Sequence, residues 1–195
     1  MIFKDEYLKF CEENKFQDKM EICLGNNFDL RKPENLHSIH HAIVCGEVGS
    51  GINELIQQIV AAIIVQSDRT CLVYNLEKLS LPSVPQNVTD KHVVIITQQY
   101  EHLKALYNKP NYHVLLKHMG YAIPWPAVAV NQCTTKIIKR SSAYMSKTVL
   151  GTRDAVDLNN DVVLTKQEGV IQKWELPIIV TSDFSDIVSS YVSGF

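Results

Sequence analysis

The sequence predicts a three-layer α/β domain with a mostly parallel sheet and a small additional hairpin. Three observations lead there. Short β-branched runs alternate with amphipathic stretches along the chain, the pattern of strands joined by crossover helices. A glycine-rich loop, Gly46–Gly51, lies between one such run and a long apolar helical segment. The chain has 195 residues, 46% hydrophobic and 21% charged, which is the composition of a globular domain with a real core and excludes a disordered tail or a disulfide-knotted miniprotein.

Each element has its own signal. Residues 2–16 place Phe3, Tyr7, Leu8, Phe10 and Cys11 at helical spacing with charges opposite. Turn formers fill Gly25–Leu36. Ile39–Cys45 reads as a buried strand, and Glu54–Gln66 as a helix with Leu55, Ile56, Ile59, Ile63 and Ile64 on a wide apolar face. Cys71–Leu76 and Val93–Ile96 are further β-branched strands. Tyr100–Met119 reads as helix until Pro110 interrupts it. Ala127–Val130 is read as a fourth strand and Lys136–Leu150 as a helix. Val162–Thr165 and Ile171–Leu176, separated by Gln167-Glu168-Gly169, read as a hairpin. Ser182-Asp183 offers an N-cap for a last helix through Tyr191. The division expected is a helical lead-in and linker over 1–36, packed on a domain over 37–195.

Charge and cysteine usage narrow the function. Nineteen basic against twenty-one acidic residues leave a net charge of −2, with no basic excess to neutralise a phosphate backbone, so nucleic acid is not the expected partner. The one basic cluster, Lys136-Ile137-Ile138-Lys139-Arg140, reads as a solvated helix face. Cys11, Cys23, Cys45, Cys71 and Cys133 are scattered and read as reduced, buried thiols. The histidines lack ligand spacing with them, so no metal site is expected, and His40 and His41 read as polar groups at a strand end. No export signal is visible, and the longest apolar stretch, Ile59–Val65, falls well short of the roughly 20 residues that span a bilayer.

The loop is the most informative feature. A phosphate-binding P-loop reads G-x-x-x-x-G-K-[ST] between a strand and a helix; here the residues are Gly46-Glu47-Val48-Gly49-Ser50-Gly51-Ile52-Asn53. The glycines let backbone N–H groups converge on an anion at the helix start. Ile52 holds the lysine position and Asn53 the position of the Mg²⁺-binding hydroxyl, while Glu47 adds a negative charge. Taken alone, the loop fits a decayed P-loop and a glycine-rich turn that binds nothing equally well.

The strand Val93–Ile96, followed by Thr97-Gln98-Gln99-Tyr100-Glu101-His102-Leu103, breaks that tie. With these residues the chain resembles the FtsK/SpoIIIE family of hexameric P-loop ATPases, whose Walker B strand ends in a run like I-I-D-E-F/Y-x-x-L. Gln98 and Gln99 would replace the two acids; an alternative register puts Thr97 at the first. Ile22–Gly25 with Phe28–Leu30 is similar to the family's lead-in to its P-loop strand. Ala129–Cys133 resembles its A-T-Q-R sensor strand, with Gln132 matching and Cys133 in place of arginine. Ile178–Val188 resembles its closing strand and helix.

The resemblance implies a RecA-like P-loop fold and, from what has changed, a site that does not hydrolyse ATP. Amides are neutral, so neither Mg²⁺ binding nor general-base work would survive at these positions, and each charged hydrogen bond lost at a phosphate site removes roughly 1.5–3 kcal/mol. The residues of this vestigial site are Gly46, Glu47, Gly49, Ser50, Gly51, Ile52, Asn53, Gln98, Gln99 and Gln132, with no catalytic residue, no metal, and ATP with Mg²⁺ bound weakly or not at all. Within the family the chain resembles the last, degenerate module of the type VII secretion membrane ATPases of Gram-positive bacteria. That implies an interaction module on the cytoplasmic face of the membrane, part of a membrane-anchored and hexameric parent. Its partners would be secreted proteins and neighbouring ATPase domains. A DNA-translocase domain, or a regulator that keeps a nucleotide without hydrolysing it, are the alternatives. Tyr100, Tyr107, Tyr112, Tyr121 and Trp125 are the candidate interface aromatics.

Overall fold

The computed structural model describes residues 4–13, 21–23, 36–67, 71–77, 79, 81–176 and 184–193. Turn formers over 24–35, with the lead-in residues Phe28–Leu30, and the proposed N-cap Ser182-Asp183 lie outside the described residues, as do residues 178–183 of the Ile178–Val188 match.

Ten strands and six α-helices are described. The small two-stranded sheet pairs β1 (Glu21–Cys23) antiparallel with β2 (Leu36–Ser38). The main sheet contains β3 (His41–Gly46), β4 (Leu72–Asn75), β5 (Val93–Thr97), β6 (Tyr112–Met119), β7 (Thr135–Ile138), β8 (Val162–Gln167), β9 (Val170–Glu175) and β10 (Val192–Ser193). Their order is β10-β4-β5-β6-β3-β7-β8-β9. Pairings from β10 through β7 are parallel, and β7-β8 and β8-β9 are antiparallel. The predicted fold class, a mostly parallel sheet carrying a hairpin, is therefore found. Glu168 (φ 50°) and Gly169 (φ 85°) make the hairpin's two-residue turn, and two successive left-handed residues give the twist that closes adjacent strands.

The sheet separates two apolar cores, because successive strand residues face opposite sides. Ala42 and Val44 face α2 (Ile52–Gln66), joined by Cys11 of α1 (Lys4–Glu13) and Val188 of α6 (Ser185–Tyr191). Ile43 and Cys45 face α3 (Tyr100–Leu106), α4 (Ala127–Gln132) and α5 (Ala143–Leu150) through Leu103, Leu106, Ala129, Met145 and Val149. Cys11, Cys45, Cys71 and Cys133 are buried free thiols. Burial pushes the Cys71 and Cys133 thiols up to about 12 and Cys45 higher still, so all three behave as small hydrophobes.

Three expectations are corrected. Tyr100–Met119 is a short helix and then a long central strand, β6. Leu106 ends the helix before Pro110, and Tyr112–Lys117 is buried on both faces, so β6 lacks the period-2 signature of a half-exposed strand. Ala127–Val130 is helical, starting after Pro126: Val128 is exposed while Ala129 and Val130 are buried, which is the side-chain placement of a helix on a core. Lys136–Leu150 divides into β7 and α5. The break comes at Ser142, whose hydroxyl accepts from the Met145 N–H at 3.1 Å as the N-cap of α5.

Candidate functional site

Parallel strands all end on one edge, so the loop after β3, the corner after β5 and the ends of β4, β6 and β7 meet there. Ligands of open α/β sheets bind beyond the carboxyl ends of their strands.

The loop is built by backbone. Gly46 closes β3, and Gly51 is the N-cap of α2 at φ 84°; Gly49 is also left-handed, at φ 81°, a region glycine enters without steric cost. A methyl group on Gly46 would lie 2.6 Å from Ser50 Oγ and 3.2 Å from the Arg140 carbonyl. Ser50 is fully buried, with its Oγ donating to the Glu47 carbonyl at 2.7 Å. On one side the Glu47 N–H donates to the Arg140 carbonyl at 2.8 Å, and on the other the Gly120 N–H donates to the Gly46 carbonyl at 3.0 Å. No side chain caps the first turn of α2, so its leading N–H groups are available to an anion. Ile52, at the lysine position, is buried in the core on the α2 side of the sheet, and Asn53 is exposed. Glu47 lies 3.8 Å from the Arg140 guanidinium.

The corner after β5 is built by side chains. Gln98 Nε2 donates to Glu77 Oε1 at 2.7 Å, Lys117 Nζ donates to Glu77 Oε2 at 2.8 Å, and the Glu77 N–H donates to Asn75 Oδ1 at 3.0 Å. Burial works to raise the Glu77 carboxyl; hydrogen bonds from Lys117 and Gln98 outweigh it and hold the group below its ordinary range. Trp125 Nε1 donates to the Gln98 carbonyl at 2.7 Å. Gln99 is exposed ahead of α3, and its N–H donates to Thr97 Oγ1 at 3.1 Å. Thr97 itself is buried, 2.7 Å from His102 Nδ1. A Mg²⁺ ion at a phosphate site is ordinarily held by one or two free carboxylates together with phosphate oxygens and water. Asn53, Gln98 and Gln99 offer amides, and the neighbouring carboxylate of Glu77 is held by a lysine. This donor set does not fit the ion.

Gln132 is not brought to the loop. It ends α4, where its Oε1 accepts from the Tyr100 hydroxyl at 3.2 Å. The Ala129–Cys133 match to a sensor strand therefore fails on secondary structure. The strand that stands between β3 and β5 is β6, and its Lys117 reaches the corner instead. Glu77 and Lys117 were missed; the available signal was a lysine inside the apolar run Val114-Leu115-Leu116-Lys117. The basic cluster also changes meaning. Lys136 and Lys139 belong to and follow a strand, not a solvated helix, and Lys139 is only 5% exposed beside the loop.

Among the candidate interface aromatics, Tyr112 and Trp125 are buried, Tyr100 is half-buried, and Tyr107 is just exposed. Tyr121 is 75% exposed. Ser142 donates to its carbonyl, and the sequence did not mark Tyr144, 64% exposed two residues beyond Ser142.

Solved structures with the same architecture bear on this geometry. The cytoplasmic domain of the type VII secretion ATPase EccC from Thermomonospora curvata superposes with a TM-score of 0.59 at 14% identity, over 90% of this chain and 31% of that one. The pCW3 conjugation coupling protein TcpA, in a monomer form with ATPγS, gives 0.58 at 12% identity, covering 84% and 67%. The fold is that of the P-loop ATPases. The cytoplasmic domain of EssC gives 0.54 at 12% identity, over 85% of this chain and 44% of that one. This chain spans about a third of the EccC chain. No family model matches the sequence, and no curated protein matches it. Among the described residues, no helix is long and apolar enough to cross a membrane.

Proposed function

We propose that this chain is a non-hydrolysing, ATPase-like module of a type VII secretion motor. It acts by recognising secreted proteins or by regulating neighbouring ATPase domains of a membrane-anchored parent. One observation carries the reading: the glycine loop before α2 shares its sheet edge with a corner where Gln98 and Gln99 stand at the expected acidic positions and Lys117 engages the nearby carboxylate, Glu77. Such a site keeps the shape of an ATPase without its metal or its base. The likeness to EccC and EssC supports the secretion setting. Tyr121 and Tyr144 are exposed aromatics of the kind that anchor protein interfaces.

Two assays test it. The purified chain should release no phosphate from Mg-ATP above the buffer rate, and turnover that Gly51→Val abolishes would sink the reading. In the parent assembly, Tyr121→Ser with Tyr144→Ser should lower export while leaving the ATPase of the neighbouring domains unchanged.

A DNA-translocating role finds support in the likeness to a conjugation coupling protein, but the chain's net charge of −2 opposes it. Salt-dependent binding of duplex DNA by the chain would favour it.

A further inference from the structure

Lys139 directly follows β7, where its N–H donates to the Cys45 carbonyl at 3.0 Å. That bond fixes the residue beside the last turn of β3, and the alternation along β7 sends its side chain to the α2 side with Ile137. The ammonium group arrives at the glycine loop: Nζ lies 3.0 Å from the point where a Gly51 Cβ would stand. The residue is 5% exposed, and no described residue lies within hydrogen-bond or ion-pair distance of Nζ. Glu54 and Asp161 act on it only from farther away. Burial lowers its proton affinity, and those two carboxylates partly offset the effect.

The side chain is held in place along its length, while the ammonium itself keeps contact with solvent and so stays open to an anion. Here it sits at the uncapped start of a 15-residue helix, where the helix field also favours an anion. Two independent features thus ask for negative charge at one place, and Ile52, apolar and packed in the core, supplies no cation.

We propose that Lys139 is the cation of this loop, standing in from the flanking strand for the absent loop lysine, and that the pair binds a phosphate group without a divalent metal. The ligand class is a phosphate or polyphosphate anion, free or carried by a nucleotide. The inference deepens the non-hydrolysing reading above but does not depend on it: hydrolysis of ATP would overturn that reading and leave Lys139 in place.

The test is a titration of the 195-residue chain in EDTA with pyrophosphate and, separately, with ATP, followed by the amide resonances of Gly49, Gly51 and Ile52. Both ligands should shift these amides. Lys139→Gln should weaken binding by about tenfold or more, the effect of removing a charged hydrogen bond, and Lys139→Arg should restore part of it. Glu54→Gln, which removes a competing carboxylate 3.7 Å from the same point, should tighten binding, a reading that survives if Lys139→Gln fails to fold. Equal affinities for the two ligands identify the phosphate group as the whole ligand; tighter ATP binding identifies a nucleotide. No shift at millimolar ligand, or unchanged affinity in folded Lys139→Gln, overturns the proposal.

Discussion

The loop after β3 and the corner after β5 end on the same edge of the sheet, separated by β6, and they are made from different materials. The loop is backbone: Gly46, Gly49 and Gly51 set its path, and its donors are N–H groups that every residue but proline carries. The corner is side chain: Gln98, Glu77, Lys117 and Asn75 define what it can bind. Side-chain replacement leaves the first intact and remakes the second. Glycines alone therefore shape the loop, while the corner is occupied by a hydrogen-bonded ion pair.

The sharpest way to break this comparison is to cut the ion pair. Lys117 is buried and the Glu77 side chain is 22% exposed, so Lys117→Met strands a carboxylate at the sheet's edge. We expect a loss of about 3 kcal/mol, the lower end for one partner of a buried pair because Glu77 retains some water contact, measured by urea unfolding. Gly46→Ala comes next. Its methyl must fit against Ser50 Oγ and the Arg140 carbonyl, at a cost of roughly 2 kcal/mol from overpacking. Loss of loop amide shifts before loss of fold would confirm that the damage is local.

A third effect belongs to the opposite edge of the sheet. His113 lies 2.8 Å from His92 and 3.3 Å from His40, nitrogen to nitrogen, and His41 Nδ1 accepts from the Val114 N–H at 3.2 Å. Burial, then the neighbouring histidines, depress His113 to about 3; burial, then His40, depress His41 to about 4. The unfolded chain therefore takes up protons that the folded chain refuses. This contribution to stability is complete above the ordinary histidine range near pH 6.5 and declines as pH falls towards 4 and 3. Urea midpoints between pH 7.5 and 4.5 should fall, and His113→Gln should flatten the slope. The smallest effect expected is that of Gln99→Glu. This exposed change should leave stability within about 0.5 kcal/mol and confer no ATP hydrolysis.

Much of this was legible in the sequence where local chemistry decides the outcome. The β3-loop-α2 unit followed from its glycines and the apolar run beyond, and the Glu168-Gly169 hairpin from its turn. Central strand β6 was not legible, because burial on both faces erases alternation and leaves an apolar run that also suits a helix. Ala127–Gln132 misled in the opposite sense, its valines suggesting a strand while Pro126 starts a helix. At the site, the glycines and amides could be read, but Lys117, Glu77 and Lys139 could not. They stand at this edge only because the parallel order β4-β5-β6-β3-β7 brings five strand ends together, and that is a property of the sheet.

The metal is the decisive variable at this edge of the sheet. ATP affinity should be measured by calorimetry on the purified chain in EDTA and again with saturating Mg²⁺. We expect weak binding that Mg²⁺ does not strengthen, since the corner offers amides and an occupied carboxylate. A gain of about tenfold or more on adding Mg²⁺ would mean that a working metal site exists at this edge and would contradict the account.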